Sequence, residues 1–346
     1  MRKMLIVCVA FAVFFGASAN CAQDDELTIQ AFFNRYRNRL GDQKTEVRLK
    51  SVLDLNKVAL RVSSVAHDLG ARTESDRDPK VRAMCFRAMA NIASLGRQTH
   101  LTQHKRVLKG LKDENDEVRQ EAINFVGAMA PYAKDYVPLI IPFIKDKNPL
   151  TREVAMHVMA SYPAEGKDAV PLLIEALRDE TKVPGGPPIN ITAARVLGKI
   201  GPDAKAAAEA LKEIAKGQDD GLSGAALEAL VIITAKEKTL LPYLVQVLRN
   251  KDQPSLRSAA AVCLAIYGKD AKETIPDLLE MLKAKDIADP KVAARTQAAI
   301  IHALGRIGEP TPAVMDAIQQ FVDDPNQRVS DEARLAMDLL RKKKSS

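Results

Sequence analysis

The sequence predicts an all-α chain, an α-solenoid (superhelix) of about nine two-helix repeats, and three observations carry the prediction. The phrase V-R-x-x-A-A-x-A-L-G-x-I-G, clear or worn, returns nine times, with Arg48, Arg82, Arg119, Arg152, Asn190, Ser223, Arg257, Gln297 and Ser330 in its arginine slot. Steps of 33 to 40 residues between slots are the period of stacked helical pairs, each unit burying its neighbour. The composition fits, since aromatics make up 4% and tryptophan is absent, so the core is built from small and aliphatic side chains. Before most copies lies a second helical pattern, P-x-L-x-x-x-L, as in Pro171 to Leu177, Pro242 to Leu248 and Pro276 to Leu282. Proline suits a first helical turn, where its missing N–H has no partner to lose, and the spaced leucines make one apolar stripe.

Taken in order, residues 1–19 read as a secretory signal peptide. Arg2 and Lys3 precede the apolar run Leu5 to Phe15, and Ala17-Ser18-Ala19 supplies small residues for cleavage after Ala19. Eleven apolar residues are too few for a membrane helix, which takes roughly 20. Residues 20–26 form a short leader in which Cys21, after Ser18-Ala19-Asn20, partly matches a bacterial lipoprotein box. The chain is therefore expected to be exported, periplasmic or extracellular, with a membrane-anchored lipoprotein lipidated at Cys21 as the alternative. The solenoid occupies 27–340. Thr28 to Leu40 is its N-terminal cap, and no Gly or Pro marks the turn expected between Asn56 and Ala71. The turns ahead of the V-R helices carry Asp78, Asp116, Asp146, Asp179, Asp220, Asp252, Asp289 and Asp324, placed to cap exposed amides. L-G-x-I-G ends the helices on glycines suited to a left-handed cap. Residues 182–188 (Lys-Val-Pro-Gly-Gly-Pro-Pro) are an insertion that specifies a loop. Residues 341–346 are read as a basic disordered tail.

These residues resemble HEAT repeats, in particular the short variety seen in phycobilisome-lyase-type proteins, from about Leu27 to Leu340. The resemblance implies a scaffold, a face of V-R helices lining the concave side, and a ladder of arginines and aspartates tying successive turns. Arg48, Arg82, Arg119, Arg152 and Arg257 match the ladder position; Asn190, Ser223, Gln297 and Ser330 do not.

Several function classes are excluded. The net charge of +7 suggests nucleic acid, but setting aside Arg2, Lys3 and Arg341 to Lys344 leaves 45 of the 51 basic residues against 44 acidic ones. A nearly neutral body lacks the concentrated basic stripe of a nucleic-acid reader. Cys85 and Cys263 lie five repeats apart, beyond the reach of a disulfide, and read as small core residues. No nucleotide, metal or nucleophile motif is present. His100 and His104 stand four apart without further ligands and read as a solvated helix face. No cofactor and no metal site are expected, and no catalytic residue is assigned.

The remaining signal is surface geometry. Positions five and nine after the arginine slot form two outward rows: Leu53, Arg87, Asn124, His157, Arg195, Glu228, Val262, His302 and Leu335; then Lys57, Asn91, Ala128, Ser161, Lys199, Ile232, Ile266, Arg306 and Leu339. The candidate binding residues are Arg87, Asn91, Asn124, His157, Arg195, Lys199, His302 and Arg306. Two readings follow: an exported, non-catalytic scaffold holding a protein partner along the concave face, and a phycobilin-lyase-like enzyme or enzyme subunit handling an anionic small molecule.

Overall fold

The computed structural model describes residues 31, 34–58, 63–94, 104–129, 132–217 and 219–344. The signal peptide, the leader with Cys21, residues 28–30, 32 and 33 of the N-terminal cap and His100 lie outside these residues. The described residues are helical with no strand; one isolated bridge joins Lys182 and Pro188. They divide into two compact units, the first running through Tyr136 and the second starting at Val137.

In the first unit a helical segment at 34–40 is followed by α1 (Thr45–Val58), α2 (Ser63–Ser75), α3 (Pro79–Ser94), α4 (His104–Leu111) and α5 (Asp116–Ala128). The V-R helices α1, α3 and α5 pack in chain order as one layer, and α2 and α4 form the other. Phe86 and Phe125, both fully buried, meet at 6.2 Å between ring centroids within the α3–α5 contact. Helix α1 is described to Val58 and α2 from Ser63; residues 59–62, within the stretch where no Gly or Pro marks a turn, lie outside the described residues.

The second unit repeats the plan. Its V-R layer is α7 (Pro149–Ser161), α10 (Ile189–Ile200), α12 (Asp220–Ile233), α14 (Pro254–Tyr267), α16 (Pro290–Ile307) and α18 (Gln327–Lys344), each packed on the next. Interleaved are the short α6 (Val137–Ile140) and α8 (Pro163–Gly166), and the second-layer helices α9 (Val170–Ala176), α11 (Ala208–Ile214), α13 (Leu241–Arg249), α15 (Ile275–Lys283) and α17 (Pro312–Gln319). Pro171, Pro242 and Pro276 stand in the first turns of α9, α13 and α15, as expected. The stretch 341–344, expected to be disordered, continues α18 to Lys344. The Lys343 side chain lies over Gly308 at the end of α16, and this packing holds the last turn.

The turns before the V-R helices divide their work between two residues. In Asp76-Arg77-Asp78, Asp113-Glu114-Asn115 and Asp146-Lys147-Asn148 the first carboxylate accepts the amide of the residue two on, at 2.8–3.0 Å. The second side chain caps the helix, Asn115 accepting from Val118 N and Asn148 from Leu150 N; Asp289 caps α16 in the same way. The first carboxylate also receives the arginine of the preceding repeat. Arg48 grips Asp76 with Nε and Nη2 at 2.8 and 3.0 Å, Arg82 grips Asp113 at 2.8 Å, and Arg257 grips Asp286 at 2.8 and 3.0 Å. Arg152 Nε lies 3.0 Å from Asp179 without hydrogen-bond alignment. Each of these guanidiniums also donates to a carbonyl of its own preceding turn: Asp42, Asp76, Asn250 and Asp146 respectively. The ladder acids are thus Asp76, Asp113 and Asp286, while Asp78 and Asp289 accept helix-start amides as expected; the caps expected of Asp116 and Asp146 are instead made by Asn115 and Asn148. Where Ser223 replaces arginine, its hydroxyl still donates to the Ile214 and Gly217 carbonyls, but the ion pair is gone.

The glycines of L-G-x-I-G also divide their roles. Gly308 takes the left-handed C-cap expected of it (φ 77°, ψ 39°). Gly305 sits within α16, where a Cβ would come within 2.8 Å of Ala336 Cβ and 3.0 Å of Ala336 Cα. It is there for close helix approach, not for its φ.

Candidate functional site

The rows expected on the V-R helices are outward-facing. All nine position-five side chains are exposed or half-buried, among fully buried neighbours such as Phe86, Ala88 and Met89 around Arg87. Asn91, Lys199 and Arg306 of the second row are exposed too.

The rows differ in their surroundings. Arg87 Nε donates to Glu121 Oε1 at 2.9 Å, and Glu117 lies 3.8 Å from its Nη2. Glu121 is two residues after the slot of the next repeat. His302 and Glu332 repeat this relation, with Nδ1 2.7 Å from Oε1. Position five of one helix therefore meets position two of the next, and a carboxylate there occupies the space between the helices. At the corresponding places in α12, α14 and α16 the position-two residues are Ala225, Ala259 and Ala299. Nothing extends beyond Cβ, so the face hollows.

A cavity of about 580 Å³ opens there, within the second unit. Its floor is small residues at positions one and two, including Gly224, Ser258 and Ala298 beside the three alanines. Arg195, Glu228, Val262 and His302 of the first row line it, together with Arg295 and Arg328, two residues before their slots. Offsets of −2, +1, +2 and +5 are one helix face, spaced by three and four. The cavity thus uses the first row and extends toward the helix N-termini. Lys199 and Arg306, one turn the other way, do not line it. Arg295, Arg328 and Glu332 were missed because the stripe was followed from position five to nine instead of back to −2.

The electrostatics are uneven. Burial against the cavity wall pushes the Glu228 carboxyl above its ordinary pKa, with Arg195 opposing. Among the described residues the guanidiniums of Arg195, Arg295 and Arg328 form no direct hydrogen bond or ion pair; Arg195 acts on Glu228, and Arg295 on Asp289, only across a longer distance. Arg87 in the first unit is instead held as a cation by its hydrogen bonds to Glu121. Asn91, Asn124 and His157 are exposed and do not line this cavity. No group of three His, Cys, Asp or Glu is gathered to hold a metal among the described residues, and none of their helices is long and apolar enough to cross a membrane. Cys85 and Cys263 are buried free thiols, both pushed up by burial.

Helical pairs stacked in two layers and tied by a side-chain ladder define an α-solenoid. The HEAT-repeat family profile matches residues 104–184 and 241–338, more than half of the chain, and the protein belongs to that family. No curated protein matches the sequence. Among solved structures, the chain is similar to the Kap95:Nup1 complex (15% identity, 92% of this chain, 47% of that chain, TM-score 0.66). It is also similar to yeast importin-beta, Kap95p (15%, 89% and 46%, TM-score 0.65), and to Kap121p bound to Ste12p (14%, 90% and 37%, TM-score 0.51). The chain spans less than half the length of these karyopherins; at such identities the likeness is one of fold.

Proposed function

We propose that this protein is a non-catalytic scaffold that holds a segment of a partner protein against its V-R helices, with the cavity of the second unit as the anchor. The cavity carries the reading: three consecutive helices present alanine where a side chain would close the face, leaving a volume suited to several side chains or a small ligand. The exposed, unpaired guanidiniums at its rim supply directional donors. The similar Kap121p and Kap95 structures are complexes with Ste12p and Nup1, which supports protein segments as the kind of partner this architecture takes. The signal-peptide pattern of residues 1–19 places the encounter outside the cytoplasm. Intact mass of the exported protein tests that part: an N-terminus at Asn20 is expected, and a diacylated Cys21 overturns it in favour of a lipoprotein.

Crosslinked capture from the native envelope tests the scaffold reading. Val262→Trp fills the cavity and is expected to abolish capture of the partner, whereas charge reversal at exposed Arg178, in the turn after α9, or Lys283, at the end of α15, leaves it intact. Equal capture by all variants sinks the proposal. A coloured small molecule copurifying with wild type and lost from Val262→Trp would establish the lyase-like alternative.

A further inference from the structure

We infer that the cavity selects an acidic, extended peptide segment, its carboxylates gripped by Arg195, Arg295 and Arg328; this rests on the scaffold reading above. Three cationic side chains face two acidic ones, Glu228 and Glu332, in the lining. Glu332 is already engaged by His302, while the three exposed guanidiniums make no direct hydrogen bond or ion pair among the described residues, Glu228 acting on Arg195 only at longer range. A guanidinium carries five N–H donors in a planar fork that matches a carboxylate in bidentate fashion. Their donors face water around the hollow, so an entering carboxylate replaces hydration without displacing a protein partner.

The shape argues for a peptide. The floor is alanine, glycine and serine, with Val262 beside it, and small residues let a main chain approach closely while remaining apolar enough for its aliphatic side chains. From Arg195 on α10 to Arg328 on α18 the lining crosses five adjacent helices, or roughly 32–40 Å at 8–10 Å per helix. An extended chain covers that span in about ten to twelve residues. A nucleic acid fits less well, because the body outside its termini is nearly neutral and phosphate backbones are read by long basic stripes.

Fluorescence anisotropy of the full protein with three labelled dodecapeptides decides it: alternating Glu and Ala, its Gln counterpart and its Lys counterpart. The Glu peptide is expected to bind at least about tenfold tighter than the Gln peptide, as charge-assisted hydrogen bonds outweigh neutral ones, and the Lys peptide weakest. Arg295→Gln/Arg328→Gln is expected to erase the preference and Arg295→Glu/Arg328→Glu to invert it, with unchanged thermal melts because both sites are exposed. Arg178→Glu is the control. Equal binding of the Glu and Gln peptides, or a preference that survives both double variants, overturns the inference; if Val262→Trp still abolishes partner capture, the scaffold reading stands without it. Displacement of the Glu peptide by inorganic phosphate as readily as by unlabelled peptide, or tighter binding of oligo-dT, also overturns it, assigning the site to small anions or nucleic acid.

Discussion

Replacing Asp76 with asparagine removes one charge and almost no volume from a pair whose side chains are 3% and 2% exposed. Arg48 then keeps a buried cation with no counter-ion. Removing one partner of a buried pair costs about 3–5 kcal/mol, chiefly through the uncompensated charge left behind. A domain's whole stability is about 5–15 kcal/mol, so the variant is expected to lose a large fraction of it. The loss should fall mainly on the repeats containing residues 48 and 76, since a solenoid's stability is a sum over units and nearest neighbours. Native-state hydrogen exchange reads this locally: amides of α1 and α2 lose protection while those of α14 and α16 keep theirs. The double replacement Arg48→Met/Asp76→Leu removes the stranded charge as well. Its residual cost is chiefly three hydrogen bonds, those Arg48 donates to the Asp42 and Gln43 carbonyls and the one Asp76 accepts from the Asp78 amide, about 3 kcal/mol at roughly 1 kcal/mol each. The double variant is thus expected to be more stable than Asp76→Asn alone. A single variant costing under about 1 kcal/mol, or a double variant worse than the single, would refute the account of the ladder as buried paired charge.

Other consequences can be measured on the same protein. Gly305→Val is expected to lower stability by about 1–3 kcal/mol in urea titration, because its side chain meets the Ala336 backbone. The Arg257 hydrogen bonds hold the Asp286 carboxyl below its ordinary pKa. Its stabilisation is therefore present above the unfolded-state carboxylate pKa of about 4 and lost as pH falls through the folded value; Asp286→Asn should flatten the acid limb of the stability curve. Glu228 shifts upward, the opposite sign. Ionising it costs more in the folded chain, so Glu228→Gln is expected to raise the melting temperature at neutral pH and lose that advantage below the unfolded glutamate pKa of about 4. Buried Cys85 and Cys263, with thiols pushed up by burial, should resist iodoacetamide in native buffer and react in denaturant; rapid native labelling would contradict their core placement.

The fold was legible in the sequence because its signal is local and repeated. A 33- to 40-residue period, first-turn prolines and leucine stripes act within one helical pair, and each copy restates the same burial pattern. Position five could be assigned outward from one helix alone, since 3.6 residues per turn settle which side chains share a face. Partnership between helices was not legible. That Arg87 is neutralised by Glu121 while Arg195 is left unpaired depends on which residue of the following helix stands opposite, and only the packing of neighbouring helices sets that register. Asp78 accepts a helix-start amide as its place in the turn predicts, whereas the role of Asp76, two residues before it, was not legible, because the arginine that claims it arrives from another repeat. The cavity arises from three alanines in succession. In the sequence they are ordinary good helix formers, and only the tertiary structure places them opposite side chains that have nothing to meet.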